Sequence, residues 1–273
     1  MHSKDLKKGR GAQKNPPNRF LKNVYLGCEH GCIYCYARNS HEFWGYSAGL
    51  DFERKILVKR NATELLERLL KKKTWRAATI VLSGNTDCYQ PAEQKFEITR
   101  KCLEIFLKYR HPVGIISKNA TILRDLDILR ELQANNLVGV NVSVTSLSEK
   151  TRRILEPRTA SISKRLKTIE TLSKHGIPVN AMFAPMIPGI NSHELLNLAQ
   201  ATSAHGAVSF GFTVVRLNGA IGQIFKDWIE KALPSKAEKV LHLIQQCHGG
   251  SSINSEFGVR NRGQGQVAQQ IHD

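Results

Sequence analysis

A partial β/α barrel of six parallel strands, TIM-like and extended by helix at its C-terminal end, is the α/β fold this sequence predicts. Short β-branched runs alternate with longer helical patterns along most of the chain, which is the signature of βα units. The runs are continuously apolar, as strands covered on both faces require. Polar turn residues follow the runs directly, at the strand ends where such folds build their sites. An open doubly wound sheet satisfies the same pattern, and the partial barrel fits it best.

Six units are expected in order. Val24–Gly27 leads into a cysteine-rich loop and precedes a helix over Ala62–Lys73; Thr79–Ser83 precedes Glu93–Tyr109; Val113–Ser117 precedes Ile122–Ala134. Leu137–Thr145 precedes Ile162–His175, Pro178–Ala184 precedes Ser192–Ala204, and Ser209–Leu217 precedes Gly222–Ala232. The expected organisation is a basic arm over residues 1–22, a barrel over 23–232, and a C-terminal helix with a Gly-rich basic tail over 233–273.

A chain of 273 residues with 41% hydrophobic content can bury a substantial core. No run reaches the length of apolar sequence a membrane-crossing helix needs, so a reducing, cytoplasmic location without membrane contact is expected. Forty Lys and Arg against 23 Asp and Glu give a formal charge of +17, a field that favours polyanions such as DNA or RNA. Solubility alone is the competing account of that charge. The basic residues concentrate in three places: residues 1–22, Lys150 to Lys174, where interleaved Glu149, Glu156 and Glu170 suggest a solvated helix face, and Arg260 to Arg262.

The chemistry-bearing feature is Gly27-Cys-Glu-His-Gly-Cys-Ile-Tyr-Cys-Tyr-Ala-Arg38. Cys28, Cys32 and Cys35 form a C-x3-C-x2-C triplet whose chance occurrence has a probability of about 0.003. Three thiolates without a fourth fit a [4Fe–4S] cluster with one iron open to another ligand. A Cys3His zinc knuckle completed by His30 or His41, within a nucleic-acid-binding module, is the alternative. A disulfide framework does not fit, since the chain starts without an apolar leader and is long for such a scaffold. Cys102 and Cys247 match no ligand spacing and are expected to be buried and inert.

Strand-end residues supply the rest of a candidate site. Gly84-Asn85-Thr86-Asp87 follows the second strand, Ser117-Lys118-Asn119 the third, Ser143 and Thr145 end the fourth, and Pro185 to Gly189 follow the fifth. Each alone is an ordinary turn former. Together with the cysteine loop they converge on one rim.

From about Asn15 to Leu217 the chain resembles the radical S-adenosylmethionine superfamily, and within it the spore photoproduct lyase-related, DNA repair photolyase-like group. The cysteine string carries the resemblance. Leu50 to Glu53 with Lys55 to Lys59, Asn85 to Asp87 with Tyr89 to Pro91, Leu155 to Arg158, and Ala184 to Asn191 add to it in order. The resemblance implies that Cys28, Cys32 and Cys35 ligate three irons of a [4Fe–4S] cluster while S-adenosylmethionine chelates the fourth. A 5′-deoxyadenosyl radical then abstracts hydrogen, with electrons from a donor such as flavodoxin or ferredoxin.

The resemblance also suggests roles for single residues. Tyr34 matches an aromatic position near adenine, and Asn85, Thr86 and Asp87 occupy the place that receives the methionine ammonium. Lys118 meets the methionine carboxylate, Ser143 meets ribose or carboxylate, and Arg158 meets the carboxylate or a substrate phosphate. Glu156 is either part of this set or a helix-ending salt-bridge partner. Tyr34 and Tyr36 resemble the lyase's radical-relay positions. Gly84 stands where the lyase has its hydrogen-donor cysteine, and Cys88 is the candidate substitute. The substrate class suggested is nucleic acid, a peptide or small metabolite being the alternative.

Overall fold

The computed structural model describes residues 23–250 and 263–272. The expected basic arm of residues 1–22 and the Arg260–Arg262 cluster lie outside the described residues. The first expected strand shortens to β1 (Tyr25–Leu26), which pairs antiparallel with β2 (Leu57–Val58) in a ribbon of its own. Gly27, at φ +84°, turns the chain after two residues into the cysteine loop, and the Tyr25 carbonyl accepts the Thr86 hydroxyl at 2.6 Å.

The parallel sheet therefore has five strands rather than six. They are β3 (Ile80–Leu82), β4 (Val113–Ser117), β5 (Val138–Ser143), β6 (Val179–Met186) and β7 (Ser209–Val214), neighbours in chain order. Pairing is parallel throughout, with Ile115 opposite Leu82 on one side and Val140 on the other. This is a partial barrel, as the alternation of runs predicts. Its central strands alternate rather than run continuously apolar as expected: Val138, Val140, Val142, Val179, Ala181 and Phe183 are buried, while Asn141 and Asn180 between them are half-buried and hydrogen-bond to each other at 2.8 Å.

Helices α1 (Leu50–Arg54) and α2 (Ala62–Leu70) precede the sheet. The helix expected over Glu93–Tyr109 is two, α3 (Ala92–Phe96) and α4 (Ile98–Lys108), separated by Glu97 in the left-handed region at φ +51°. The cause is Glu93, whose fully buried carboxylate turns back to accept the backbone N–H of Thr99 at 3.0 Å and of Arg100 at 3.3 Å, capping α4 with a negative charge. Tyr25 donates to the same carboxylate at 2.5 Å, and Arg124 does so at 2.9 Å. Sequence periodicity cannot show a side chain capping the next helix.

Helices α5 (Leu126–Ala134), α6 (Glu149–Leu155), α7 (Ile162–Lys174) and α8 (Leu195–Ala204) follow the later strands. Leu103, Phe106, Leu129, Leu132, Ile169 and Leu172 pack against the strands in one continuous core. The basic stretch on α6 and α7 is only partly the solvated face expected, because Arg152 and Arg165 are buried. Helices α9 (Ala220–Ala232) and α10 (Pro234–Gln246) build a second core: Phe225, Ile229, Val240 and Ile244 join Cys32, Tyr34 and Leu155. The C-terminal helices thus support the cysteine loop from behind. A last helix, α11 (Gln266–His272), packs Ala268 against Val214 and Cys247. Cys102 and Cys247 are buried as expected. Among the described residues no helix is long and apolar enough to cross a membrane.

Phe183, fully buried on β6, stacks on Phe210 with ring centroids 5.5 Å apart. Phe183→Ala is expected to lower the unfolding free energy by about 3–5 kcal/mol, read from urea unfolding curves; a loss below about 1 kcal/mol would show that this face of the sheet is not close-packed.

Candidate active site

The loop after β1 and the C-terminal ends of β3–β7 enclose a cavity of about 320 Å³. Cys28, Cys32 and Cys35 form part of its wall with Tyr34, Tyr36, Asn85, Asp87, Ser117, Lys118, Ser143 and Arg216. The strand-end rule predicted this convergence.

The cysteine loop is fixed from outside the cavity. Buried Arg38 donates to the Cys32 carbonyl at 3.1 Å, the Gly49 carbonyl at 3.0 Å and Glu53 at 2.5 Å. The Cys28 amide donates to the Phe52 carbonyl at 2.8 Å, and that of Ile33 to the Leu155 carbonyl at 3.0 Å. Arg158 pairs with Glu53 and donates to the Glu29 carbonyl. It passes so close to Gly31, at φ +69°, that a Cβ there would sit 2.2 Å from its guanidinium. The left-handed backbone there favours glycine.

Burial pushes the Cys28 thiol up to about 12, and the same desolvation raises Cys32 and Cys35. A bound cation reverses that preference, because a coordinated thiol gives up its proton.

Asp87 joins two strand ends. Its carboxylate accepts the Tyr89 amide at 2.9 Å, the Ser117 hydroxyl at 2.9 Å and the Lys118 amide at 2.7 Å. The His30 Nδ1 atom lies 3.5 Å from the same carboxylate, and burial holds that imidazole below its usual range. Glu156 has no exposed surface at all. It accepts from Tyr34, from Thr145 at 2.7 Å and from Arg165 at 2.5 Å, and its carboxylate lies 3.2 Å from the Lys118 ammonium. Burial alone would raise its carboxyl, but Arg165 and Lys118 outweigh burial and hold it well below the usual carboxylate range. Lys118 also donates to the Ala184 carbonyl at 3.3 Å and stands 5.8 Å from the centre of the Tyr34 ring.

Most sequence-selected residues meet here. Tyr34, Tyr36, Asn85, Asp87, Lys118 and Ser143 line the cavity with the three cysteines. Three others do not. Thr86 is turned to the Tyr25 carbonyl, and Arg158 stands behind the loop. Cys88 is in the main core, its thiol raised by burial. A Cβ added at Gly84 would meet nothing within 4 Å, and Tyr36 donates its phenolic hydrogen to the Gly84 carbonyl at 2.5 Å.

Sequence reasoning missed Arg216 and left Glu156 open between two roles. Arg216, two residues beyond β7, stands where the strand-end rule places site residues. The depth of Glu156 has no local signal, since its partners come from four separate segments.

The chain belongs to the Radical SAM superfamily, whose family model matches residues 22–201. An uncharacterized protein of Mycobacterium tuberculosis (strain H37Rv) is 30% identical over 235 residues, covering 84% of this chain and 68% of that protein. An isomerase of Pseudomonas phage M6, named as a Radical SAM Nalpha-GlyT isomerase, is 26% identical over 189 residues, covering 68% of this chain and 37% of that protein. The fold matches a cysteine-to-serine mutant of spore photoproduct lyase with TM-score 0.59 at 15% identity, over 78% of this chain and 60% of that one. The lyase mutant with bound AdoMet and a dinucleoside spore photoproduct matches with TM-score 0.58 at 15% identity, over 76% and 59%. This chain therefore spans about three fifths of the lyase chains it matches. Membership makes the protein an enzyme of the radical class, and the family implies a [4Fe–4S] cluster with S-adenosylmethionine.

The donor set fits such a cluster: three cysteines of one short loop line the same open cavity. Of the two histidines that could complete a zinc knuckle, His30 has its Nδ1 3.5 Å from the Asp87 carboxylate. His41 is engaged by the Lys55 carbonyl at 3.0 Å.

Two outcomes follow from this geometry. Glu156→Ala leaves Lys118 and Arg165 as buried, uncompensated charges and is expected to cost about 3–5 kcal/mol, measured by thermal or chemical unfolding; a neutral effect would show that water reaches the network. In peptide mapping after brief alkylation of the folded protein, Cys88 is expected to remain unmodified while an introduced Gly84→Cys is labelled. Equal labelling of both would contradict their opposite placements.

Proposed function

We propose that Cys28, Cys32 and Cys35 hold a [4Fe–4S] cluster at the cavity wall, and that the enzyme abstracts hydrogen from a nucleic-acid substrate. The observation that supports this reading is that the three cysteines line one cavity together with Asp87, Lys118 and Ser143, contributed by three different strand ends. The chemistry that such a cluster and S-adenosylmethionine supply when bound is one-electron cleavage to methionine and a 5′-deoxyadenosyl radical, which takes hydrogen from carbon.

The chain's own residues bind, orient and exclude water. Asp87 suits the methionine ammonium because it is anionic and fixed by three donors; Asn85 lies beside it on the exposed rim. Lys118 suits the methionine carboxylate, with Glu156 holding the ammonium ready at 3.2 Å. Tyr34 offers an aromatic wall to the adenine, and Ser143 a hydroxyl to the ribose. Tyr36, whose O–H is held on the Gly84 carbonyl at 2.5 Å, is the hydrogen-donor candidate at the cavity, since Cys88 lies in the core.

Two findings support the nucleic-acid part of the reading: the formal charge of +17, and the fold's likeness to a lyase solved with a dinucleoside ligand.

Anaerobic reconstitution is expected to give about four irons per chain, a brown protein, and 5′-deoxyadenosine on reduction with S-adenosylmethionine, all lost in Cys32→Ala. A colourless protein with one zinc would overturn the reading. Affinity for DNA or RNA should fall steeply with salt. A weak, flat response would favour a peptide or small metabolite instead.

A further inference from the structure

We infer that Gln90 is the positioning residue for Cys28: its side-chain amide clasps the backbone on both sides of that cysteine and so aims one of the three thiolates. The inference rests on the cluster reading above and adds what sets a single ligand.

Gln90 is polar, yet it has no exposed surface. A buried amide is tolerable only when its donors and acceptor are used. Its Nε2 atom donates to the Gly27 carbonyl at 3.1 Å, and its Oε1 atom accepts the Glu29 backbone N–H at 3.0 Å. These are the carbonyl immediately before Cys28 and the N–H immediately after it. With the Cys28 amide itself on the Phe52 carbonyl at 2.8 Å, the backbone of this ligand is held at three points.

The loop returns the contact. The Glu29 carboxylate accepts the backbone N–H of Ala92, the first residue of α3, at 2.6 Å. Gln90 and Glu29 therefore lock reciprocally, each side chain bound to the other segment's backbone. Core filling alone would ask for an apolar side chain here and would leave the Gly27 and Glu29 groups without these partners.

The same turn carries Asp87. The Gln90 N–H donates to the Asp87 carbonyl at 3.3 Å, and the Tyr89 N–H donates to the Asp87 carboxylate at 2.9 Å. One short turn thus sets both the Cys28 backbone and the carboxylate read above as the receiver of the methionine ammonium. The turn also meets the sulfur. Burial and the Asp87 charge push the Cys28 thiol up to about 12, while the backbone N–H groups of Asp87 and His30 pull against them. N–H donors to a cluster sulfur stabilise the reduced, more negative cluster and raise its potential. Cys32 is fixed by a different device, the Arg38 guanidinium on its carbonyl at 3.1 Å, and the Cys35 amide donates to that same carbonyl at 3.3 Å. Loss of Gln90 therefore frees one ligand of the three.

The test uses the full-length protein and Gln90→Met, which keeps the length of the side chain and removes both hydrogen bonds. Before reconstitution, brief alkylation with peptide mapping is expected to label Cys28 about tenfold faster than in the parent protein, with Cys32 and Cys35 unchanged. After anaerobic reconstitution, the variant is expected to lose iron to a chelator about tenfold faster and to show a more negative midpoint potential. Glu29→Ala should move these readings in the same direction, and Glu29→Gln, which keeps an oxygen for the Ala92 N–H, should restore them. Urea unfolding reports whether each variant folds, and the Glu29 pair carries the test if Gln90→Met does not. Parent-like labelling, iron release and potential in folded variants would overturn the inference while leaving the cluster reading intact. Labelling that rises equally at all three cysteines would do the same, since it marks a general loosening of the fold. A parent protein that takes up no iron–sulfur cluster overturns both.

Discussion

The carboxylate of Glu156 is the constraint on which the site depends. It has no exposure, yet it ties Tyr34 in the cysteine loop, Thr145 beyond the end of β5, Lys118 at the end of β4 and Arg165 on α7. A buried charge is tolerable only when its partners are complete, and those partners hold the cysteine loop against the strand ends. Asp87 repeats the device on the other side by joining the end of β3 to the Ser117–Lys118 turn. The cavity therefore exists between two carboxylate clasps. Helices α9 and α10 press the loop onto them from outside.

This arrangement separates the parts of the site by chemistry. The cysteines, Asp87, Lys118 and Ser143 line the cavity, and the proposed reading assigns the last three to the ammonium, carboxylate and ribose of the cofactor. Tyr36, Asn85 and Arg216 occupy the rim. Arg158 acts through neither: its pairing with Glu53 and its closeness to Gly31 make it part of the scaffold of the cysteine loop. Cys88 likewise belongs to the core.

Much of this was legible in the sequence because it depends on spacing and strand ends. The cysteine triplet, the apolar runs of β4 to β6 and the turns after β3 and β4 fix the topology and the rim by local rules. What was not legible depends on distant partners. The break at Glu97 follows from Glu93 capping a later helix, the loss of the first strand from the sheet follows from a turn at Gly27, and the burial of Arg165 follows from Glu156. Thr86 shows the limit of reasoning from a motif: its neighbours Asn85 and Asp87 face the cavity, whereas its hydroxyl is spent on the Tyr25 carbonyl.

The central claim is that three cysteines leave one iron open toward the cavity, where Asp87 and Lys118 receive the methionine end of the cofactor. Electron paramagnetic resonance of the reduced, reconstituted protein, with and without S-adenosylmethionine, tests it most directly. The account predicts that the cofactor changes the spectrum of the parent protein and has a much weaker effect at the same concentration in Asp87→Asn/Lys118→Met. A spectrum indifferent to S-adenosylmethionine in the parent protein would contradict it.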